Sequence, residues 1–283
     1  MGITAKAATA AACRASTAEK NAALQAIANA IRTHSDTIVA ANSKDLKRAA
    51  AAGLDAASLD RLALKEQTLS DMTCGLEQMV DLPDPVGQMS EPVVRPNGLR
   101  ISKMRVPIGV IGMIYESRPN VTIDAAGLCL KSGNAVILRG GSESIESNRA
   151  LYQCIYEGLQ ESDLDTGIIQ LVDTIDRQAV GELLKMSEYV DLIIPRGGKS
   201  LIQRISDETR IAVLKHLDGV CHVFIDAEAD LASAYSIAMN AKTQRYATCN
   251  TMETLLVDRE VAARVLPDLA HALCGEGVEL RVC

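Results

Sequence analysis

A cysteine on a polar connection is the strongest candidate for chemistry in this sequence. Cys249 follows a helix-like stretch that runs to about Lys242, and it precedes a β-rich run over residues 252–257. Reactive groups are commonly presented on loops that a rigid scaffold holds. The nearby cations Lys242 and Arg245 favour the thiolate, which is the nucleophilic form of a cysteine. The pattern therefore predicts a nucleophile rather than a buried structural cysteine.

Two loops with paired glycines and an arginine are candidates for binding a phosphate group. The first, RGGSES, runs from Arg139 to Ser144, and the second, PRGGKS, runs from Pro195 to Ser200. Each follows a predicted strand and opens a predicted helix, where free backbone N–H groups attract anions. Neither has the Gly-x-Gly-x-x-Gly or P-loop pattern, so each alone is also compatible with an ordinary strand-to-helix turn. Two such loops on one sheet edge favour a nucleotide site, with Arg139 and Ser142 as donors to a phosphate.

A third loop, ESRPN, spans residues 116–120 after another predicted strand. It offers Arg118 for an anionic group and Asn120 as an amide donor. The alternative interpretation is that Pro119 and Asn120 only begin the next helix.

The first ninety residues have the pattern of helices. Ser16 and Glu19 match a capping box, in which each side chain satisfies a free backbone N–H group. Leu24, Ile27 and Ile31 then share one helical face. Further helices are predicted over residues 35–52 and 69–80, and a hairpin turning at Asn97-Gly98 is predicted within residues 92–105.

Strands and helices alternate from residue 106 onward. Strands are predicted over 106–115, 135–138, 168–172, 190–194, 211–214 and 220–225, and helices over 121–131, 148–159, 177–185 and 200–208. This alternation predicts an α/β fold of the Rossmann type, with a mostly parallel sheet and helices on both faces. Ligands of such sheets bind at the carboxyl ends of the strands, where all three loops lie.

Composition limits the class of protein. The chain has 283 residues, of which 48% are hydrophobic, so it can bury a sizeable core. A formal charge of −7 argues against nucleic acid as a partner. Residues 1–13 lack the Leu-rich stretch of a signal peptide, and no apolar run is long enough to span a membrane. A cytoplasmic protein is expected.

The eight cysteines are scattered along the chain at positions 13, 74, 129, 154, 221, 249, 274 and 283. Because none forms a Cys-x-x-Cys pair, no metal site is predicted. Free cysteines in a chain of this length fit a reducing compartment.

Four runs carry a resemblance to a known family. They are VPIGVIGMIYESRPNV at 106–121, LKSGNAVILRGGS at 130–142, IPRGGKS at 194–200 and AKTQRYATCNTMET at 241–254. In these runs the sequence resembles the gamma-glutamyl phosphate reductases, which belong to the aldehyde dehydrogenase superfamily. The resemblance covers essentially the whole chain.

The resemblance implies a reaction, the second step of proline biosynthesis from glutamate. NADPH would reduce L-glutamyl 5-phosphate to L-glutamate 5-semialdehyde with release of phosphate. Cys249 would be the nucleophile that displaces phosphate and forms a thioester. The backbone N–H of Cys249 and the amide of Asn120 would stabilise the negative charge that develops on the substrate oxygen. Arg118, Lys242 and Arg245 are candidates for contacts with the substrate or its phosphate.

The resemblance also assigns cofactor residues. Arg139, Gly140 and Ser142 match positions that hold the adenosine ribose in the superfamily. Many NAD-preferring relatives have an acidic residue where Ser142 falls, which would repel a 2′-phosphate, so Arg139 with Ser142 favours NADP. The loop that lies near the pyrophosphate and nicotinamide in the superfamily is matched here by Gly197, Gly198 and Ser200.

One departure favours a reductase over a hydrolytic aldehyde dehydrogenase. Hydrolytic enzymes use a Glu to activate water against the thioester, and here Lys215 or His216 occupies that place in the run 214–219. A hydrolytic enzyme remains the nearest alternative. An alternative of another class is a non-catalytic NADP-binding fragment.

That second alternative arises because the family continues well beyond Cys283, so a carboxy-truncated sequence is expected. Residues 1–91 and 106–219 would then form the NADP-binding domain and 220–283 the incomplete catalytic domain. The 92–105 hairpin would serve homo-oligomer formation. A glutamate 5-kinase would supply the acyl phosphate.

Overall fold

The computed structural model describes residues 1–216, 219–246 and 248–282. The described residues do not include Leu217, Asp218, Ala247 and Cys283. Part of the run 214–219 and the eighth cysteine of the sequence therefore lie outside them. The chain forms two compact units, a larger unit Met1–Lys215 and a smaller unit His216–Cys283. Each is described by itself.

Five helices precede the hairpin in the larger unit. They are α1 (Gly2–Arg14), α2 (Thr17–Thr33), α3 (Ser35–Ala51), α4 (Ala56–Leu62) and α5 (Glu66–Asp81). The predicted capping box of Ser16 and Glu19 begins α2 and is confirmed. Helix α1 was not predicted, because its buried face consists of Ala5, Ala8 and Ala12 and carries little hydrophobic contrast. Such small side chains let a helix approach its neighbours closely.

The predicted hairpin is present. Strands β1 (Val93–Val94) and β2 (Arg100–Ile101) pair antiparallel. Gly98 in the turn has φ of +84°, a conformation that glycine adopts without steric cost. The side chains of both strands are exposed.

The remaining strands of the larger unit form one parallel sheet in the order β5-β4-β3-β6-β7. The strands are β3 (Val110–Tyr115), β4 (Ala135–Arg139), β5 (Ile169–Leu171), β6 (Leu192–Arg196) and β7 (Ala212–Val213). The helices between them are α6 (Asn120–Lys131), α7 (Ile145–Glu161), α8 (Gln178–Lys185) and α9 (Lys199–Glu208). The predicted α/β fold class is confirmed.

Alternate residues of the central strands enter two separate hydrophobic cores. Ile111 and Val136 belong to one core with helices α2, α5, α6 and α7, while Val110 and Ile137 belong to the other with α8. Helices therefore cover both faces of the sheet. Since β4 lies on one side of β3 and β6 on the other, the order in which strands are added to the sheet reverses between β3 and β6, which is where ligands of such sheets bind.

The first strand of the sheet begins later than predicted. The sequence predicts a strand from Val106, but β3 begins at Val110. Pro107 has no N–H to donate, and Gly109 has φ of +129°, so the chain is not extended there. Val106 and Ile108 are exposed.

The smaller unit is a strand–helix–strand–helix run. It comprises β8 (Cys221–Ile225), α10 (Leu231–Thr243), β9 (Met252–Val257) and α11 (Arg259–Gly275). The two strands pair in parallel, and residues of α10 and α11 pack against Ile225 in a core of their own. Helix α11 was not predicted, although Asp258 caps its first turn. Within the described residues, no helix is both long and apolar enough to cross a membrane.

Candidate active site

Glu116 joins the loop after β3 to the loop after β6. Its Oε2 accepts a hydrogen bond of 3.1 Å from the N–H of Gly198, and its own N–H donates to the carbonyl of Arg196 at 3.1 Å. A Cβ at Gly197 would lie 2.6 Å from Cδ of Glu116, so a larger residue would displace that side chain. The predicted loop of Gly197 and Gly198 is thus tied to the centre of the sheet. Sequence reasoning gave no role to Glu116.

Ser117 joins the same central loop to the loop after β4. Its hydroxyl donates to Oε1 of Glu143 at 3.0 Å. A Cβ at Gly141 would lie 3.2 Å from the backbone nitrogen of Ser117, so the two loops nearly touch. Three loops that the sequence predicts for one sheet edge are therefore adjacent in the structure.

The loop after β4 packs closely against its own helix. A Cβ at Gly140 would lie 2.1 Å from Nδ2 of Asn148 on α7, which leaves room for glycine alone unless Asn148 moves. Ser142 is half-buried, and its hydroxyl donates to Oε2 of Glu143 at 3.3 Å. Arg48 of α3 donates to the carbonyls of Ser142 and Glu143 at 3.2 and 3.3 Å. The loop is fixed from both sides while Ser142 stays accessible.

Arg139 lies beneath this loop. Its side chain donates to the carbonyl of Gly140 and, through Nη2 at 3.3 Å, to the carbonyl of Asp176 in the loop after β5. Its buried Nε has no hydrogen-bond partner among the described residues. Burial lowers the pKa of Arg139. The sequence predicted Arg139 as a donor to a phosphate, and the structure places its guanidinium between two loops.

Two other predicted residues lie at the start of α6. The Nδ2 of Asn120 donates to Oδ2 of Asp124 at 3.1 Å, one turn along the helix. Burial raises the pKa of Asp124, an effect that this hydrogen bond opposes. Arg118 is exposed before the helix, and Ser200 is exposed in the first turn of α9.

The candidate nucleophile lies in the smaller unit, on the connection between α10 and β9. Cys249 is exposed. Around it, the hydroxyls of Thr248 and Thr251 both donate to the carbonyl of Arg245, at 3.0 and 2.6 Å. The buried Thr251 anchors the connection just before β9. The loop thus presents its thiol while its own backbone is held.

The backbone of Cys249 is held from the other strand as well. The thiol of Cys221, the first residue of β8, donates to the carbonyl of Cys249 at 3.4 Å. A Cβ at Gly219 would lie 2.4 Å from that same carbonyl oxygen. Sequence reasoning missed Cys221 and Gly219 because both act by approaching the backbone.

The two cations predicted to flank the thiol have different surroundings. Lys242, in the last turn of α10, donates from Nζ to the carbonyl of Met252 at 3.0 Å and so ties the helix end to β9. Arg245 is exposed and is bonded through its carbonyl. Among the described residues, no group of three metal-ligating side chains could hold a metal ion.

The donors at the sheet edge fit a dinucleotide. Glycines 140, 141 and 197 bring backbone close to neighbouring loops, Ser142 offers an accessible hydroxyl, and Arg139 retains one unpaired N–H. This is the donor set that a sugar and its phosphates require.

Comparison with known proteins places this arrangement in a family. The sequence matches the aldehyde dehydrogenase family over residues 3–275. It is 41% identical to the gamma-glutamyl phosphate reductase of Thermotoga maritima, with a TM-score of 0.91 over 100% of this chain and 68% of that one. The Saccharomyces cerevisiae gamma-glutamyl phosphate reductase is 33% identical, with a TM-score of 0.71 over 98% of this chain and 69% of that one.

A more distant structure shows the fold alone. An acetylating aldehyde dehydrogenase of Geobacillus thermoglucosidasius is 19% identical, with a TM-score of 0.63 over 96% of this chain and 57% of that one. The resemblance stated from the sequence is confirmed. The chain belongs to the aldehyde dehydrogenase family, in the branch of the gamma-glutamyl phosphate reductases, and it is therefore an oxidoreductase.

Proposed function

We propose that this protein reduces L-glutamyl 5-phosphate to L-glutamate 5-semialdehyde with NADPH, releasing phosphate, in the second step of proline biosynthesis. One observation carries the proposal, which is 41% identity to a gamma-glutamyl phosphate reductase over the entire chain. The exposed thiol of Cys249 on a held loop supports it.

Cys249 acts twice in the proposed reaction. Its thiolate attacks the acyl carbon, the carbon–oxygen bond to phosphate breaks, and a thioester forms. When bound, NADPH would supply the hydride for reduction of this thioester. The carbon–sulfur bond then breaks, the aldehyde leaves, and the sulfur returns to the thiolate.

The developing negative charge on the substrate oxygen needs fixed donors. We assign this role to the backbone N–H of Cys249 and the amide of Asn120. For that role Nδ2 of Asn120 must exchange its present bond to Asp124 for one to the substrate. Arg118, Lys242 and Arg245 are the proposed contacts for the anionic groups of the substrate.

Members of this family use NAD or NADP, and we propose NADP here. Arg139, Gly140 and Ser142 would bind the adenosine end, and Gly197, Gly198 and Ser200 the pyrophosphate and nicotinamide end. A hydroxyl at Ser142 lacks the charge by which a carboxylate would repel a 2′-phosphate. The half-buried position of Ser142 at the loop surface supports this assignment.

The domain roles follow as proposals. Residues 1–91 and 106–219 would bind NADP, 220–283 would belong to the catalytic domain, and 92–105 would mediate homo-oligomer formation. A two-stranded hairpin is marginally stable by itself, and Val93, Val94, Leu99 and Ile101 are all exposed on this one. A glutamate 5-kinase in the cytoplasm would supply the substrate.

Phosphate dependence tests the proposed reaction. Running backward with glutamate 5-semialdehyde and NADP, the enzyme should form NADPH only when phosphate or arsenate is present. NADPH formation in phosphate-free buffer would instead support a hydrolytic aldehyde dehydrogenase. Cofactor binding without turnover in either buffer would support a non-catalytic NADP-binding protein.

A further inference from the structure

The loop after β5 carries an arginine that sequence reasoning did not assign. This loop spans residues 172–177 and ends where α8 begins. We propose that Arg177 binds the 2′-phosphate of NADP and is the main determinant of NADP over NAD, while Arg139 positions the loop that carries it. This inference rests on the proposed function and names a further residue of the same cofactor site.

The fold places Arg177 beside the predicted adenosine loop. Strands β4 and β5 are parallel neighbours, and the N–H of Val172 donates to the carbonyl of Leu138 at 2.8 Å, so the two loops leave the sheet together. Nη2 of Arg139 then donates to the carbonyl of Asp176 at 3.3 Å. Arg177 is therefore the next residue after Asp176, which Arg139 contacts.

The two arginines differ in what they can offer to a ligand. Arg139 is only 6% exposed, and its terminal N–H groups are directed to backbone carbonyls. Arg177 is exposed, and its side chain makes no hydrogen bond or ion pair within the described part of the chain. An arginine in this state can present two parallel donors to a phosphate.

Carboxylates near Arg177 are already engaged. Oδ1 of Asp176 accepts from the N–H of Gln178 at 2.8 Å, which fixes the start of α8. Asp173 is paired with Arg149 of α7. Within the described residues, Arg177 forms an ion pair with neither carboxylate. Burial is the main cause that lowers the pKa of Arg139; the charge of Arg177 acts in the same direction, while Glu143 and Asp176 oppose it.

The same loop also offers an apolar surface. Ile175 is 60% exposed, two residues before Arg177. A large apolar side chain at that exposure suits the face of an adenine ring. We therefore expect Ile175 to contact the base and Arg177 the phosphate of one adenosine 2′-phosphate group.

Calorimetric titration of the full chain with 2′,5′-ADP and with 5′-AMP tests the inference, because these ligands differ in the 2′-phosphate. Arg177→Ala should weaken 2′,5′-ADP about 10- to 100-fold, the range for a lost charge-assisted hydrogen bond, and should change 5′-AMP by less than about twofold. Ile175→Ala should weaken both ligands by the same factor. Lys185→Ala removes one positive charge about 12 Å away at the other end of α8 and should change neither.

The outcomes are distinguishable. If Arg177→Ala keeps the wild-type affinity for 2′,5′-ADP, with an unchanged thermal unfolding midpoint, the assignment of Arg177 is wrong and the cofactor proposal stands. If the wild-type chain binds both ligands equally, no 2′-phosphate site exists. If it binds neither ligand nor NADPH, the proposed cofactor function fails as well.

Discussion

Cys249 combines an accessible thiol with a constrained backbone. Its side chain is exposed, whereas its carbonyl contacts the thiol of Cys221 and lies against Gly219. A nucleophile works best when its position is fixed before the substrate arrives. At the scale of single residues, the proposed reaction would therefore depend on neighbours that contribute no side-chain chemistry of their own.

Replacing the nucleophile separates chemistry from binding. Cys249→Ser should lower kcat by at least about 10³-fold, the scale on which loss of a nucleophile acts, while the dissociation constant of NADPH stays within about twofold. Cys274→Ser, another exposed cysteine of the smaller unit, is the control and should remain fully active. Full activity of Cys249→Ser would show that Cys249 is not the nucleophile.

A second substitution tests the close approach at Gly219. The added Cβ of Gly219→Ala would lie 2.4 Å from the carbonyl oxygen of Cys249, so one of the two backbone segments must shift. Displacement of a catalytic group by about 1 Å can cost about 100-fold in rate, and we expect kcat to fall by at least tenfold. Gly275→Ala is the control, since nothing lies within 4 Å of its new Cβ. Equal kcat values for the two variants would contradict the proposed constraint.

At the scale of elements, short contacts join four loops at one edge of the sheet. Glu116 connects the loops after β3 and β6, Ser117 and Glu143 connect those after β3 and β4, and Arg139 connects those after β4 and β5. Each strand end is therefore positioned by its neighbours rather than by its own sequence. A cofactor bound along this edge would contact a surface that is largely formed beforehand.

Removing one of these contacts should affect cofactor binding more than chemistry. Glu116→Ala leaves the N–H of Gly198 without its carboxylate partner, and a charge-assisted hydrogen bond is worth about 1.5 kcal/mol or more. Because Glu116 is exposed, we discount that value and expect the KM for NADPH to rise about fivefold with kcat nearly unchanged. Glu182→Ala on α8 removes an exposed carboxylate elsewhere and serves as the control. A fall in kcat alone would assign Glu116 to catalysis instead.

At the scale of the whole molecule, burial divides the cysteines into classes. Four described cysteines are exposed, namely Cys13, Cys74, Cys249 and Cys274. Cys129 and Cys154 belong to the core between the sheet and the helices. Burial raises the pKa of each of these two thiols to about 12.

Thiol labelling measures this division. A pH of 8 is about four units below the pKa of the two core thiols. Only about 1 in 10⁴ of these thiols is then a thiolate, which is the reactive form. Iodoacetamide should therefore modify the exposed cysteines in the native protein and reach Cys129 and Cys154 only after unfolding, as peptide mass spectrometry would show. Raising the pH toward 12 should increase their labelling, because a larger fraction of each thiol is then thiolate. Labelling of Cys129 at the rate of Cys74 in native protein would contradict the packing.

Local patterns in the sequence determined the strands, most helices, the hairpin and the three loops of the candidate site. They did so because hydrophobic periodicity, capping residues and glycine turns act over a few positions. The same patterns missed α1, whose buried face carries weak contrast, and α4, which has only 7 residues. Helix α11 was also missed, although its buried residues recur at every fourth position from Val261 to Leu273. Motif likeness over the whole chain was enough to identify the family.

Only the tertiary structure decided which groups at this edge of the sheet are accessible and which are buried. Arg139 and Arg177 are chemically identical in the sequence, yet one is buried between two loops and the other is exposed. Glu116, Ser117 and Gly219 make their contacts with residues 26 to 82 positions away, from Glu143 for Ser117 to Gly198 for Glu116. Burial and cross-loop hydrogen bonds depend on which strands become neighbours, and strand order is a property of the folded chain.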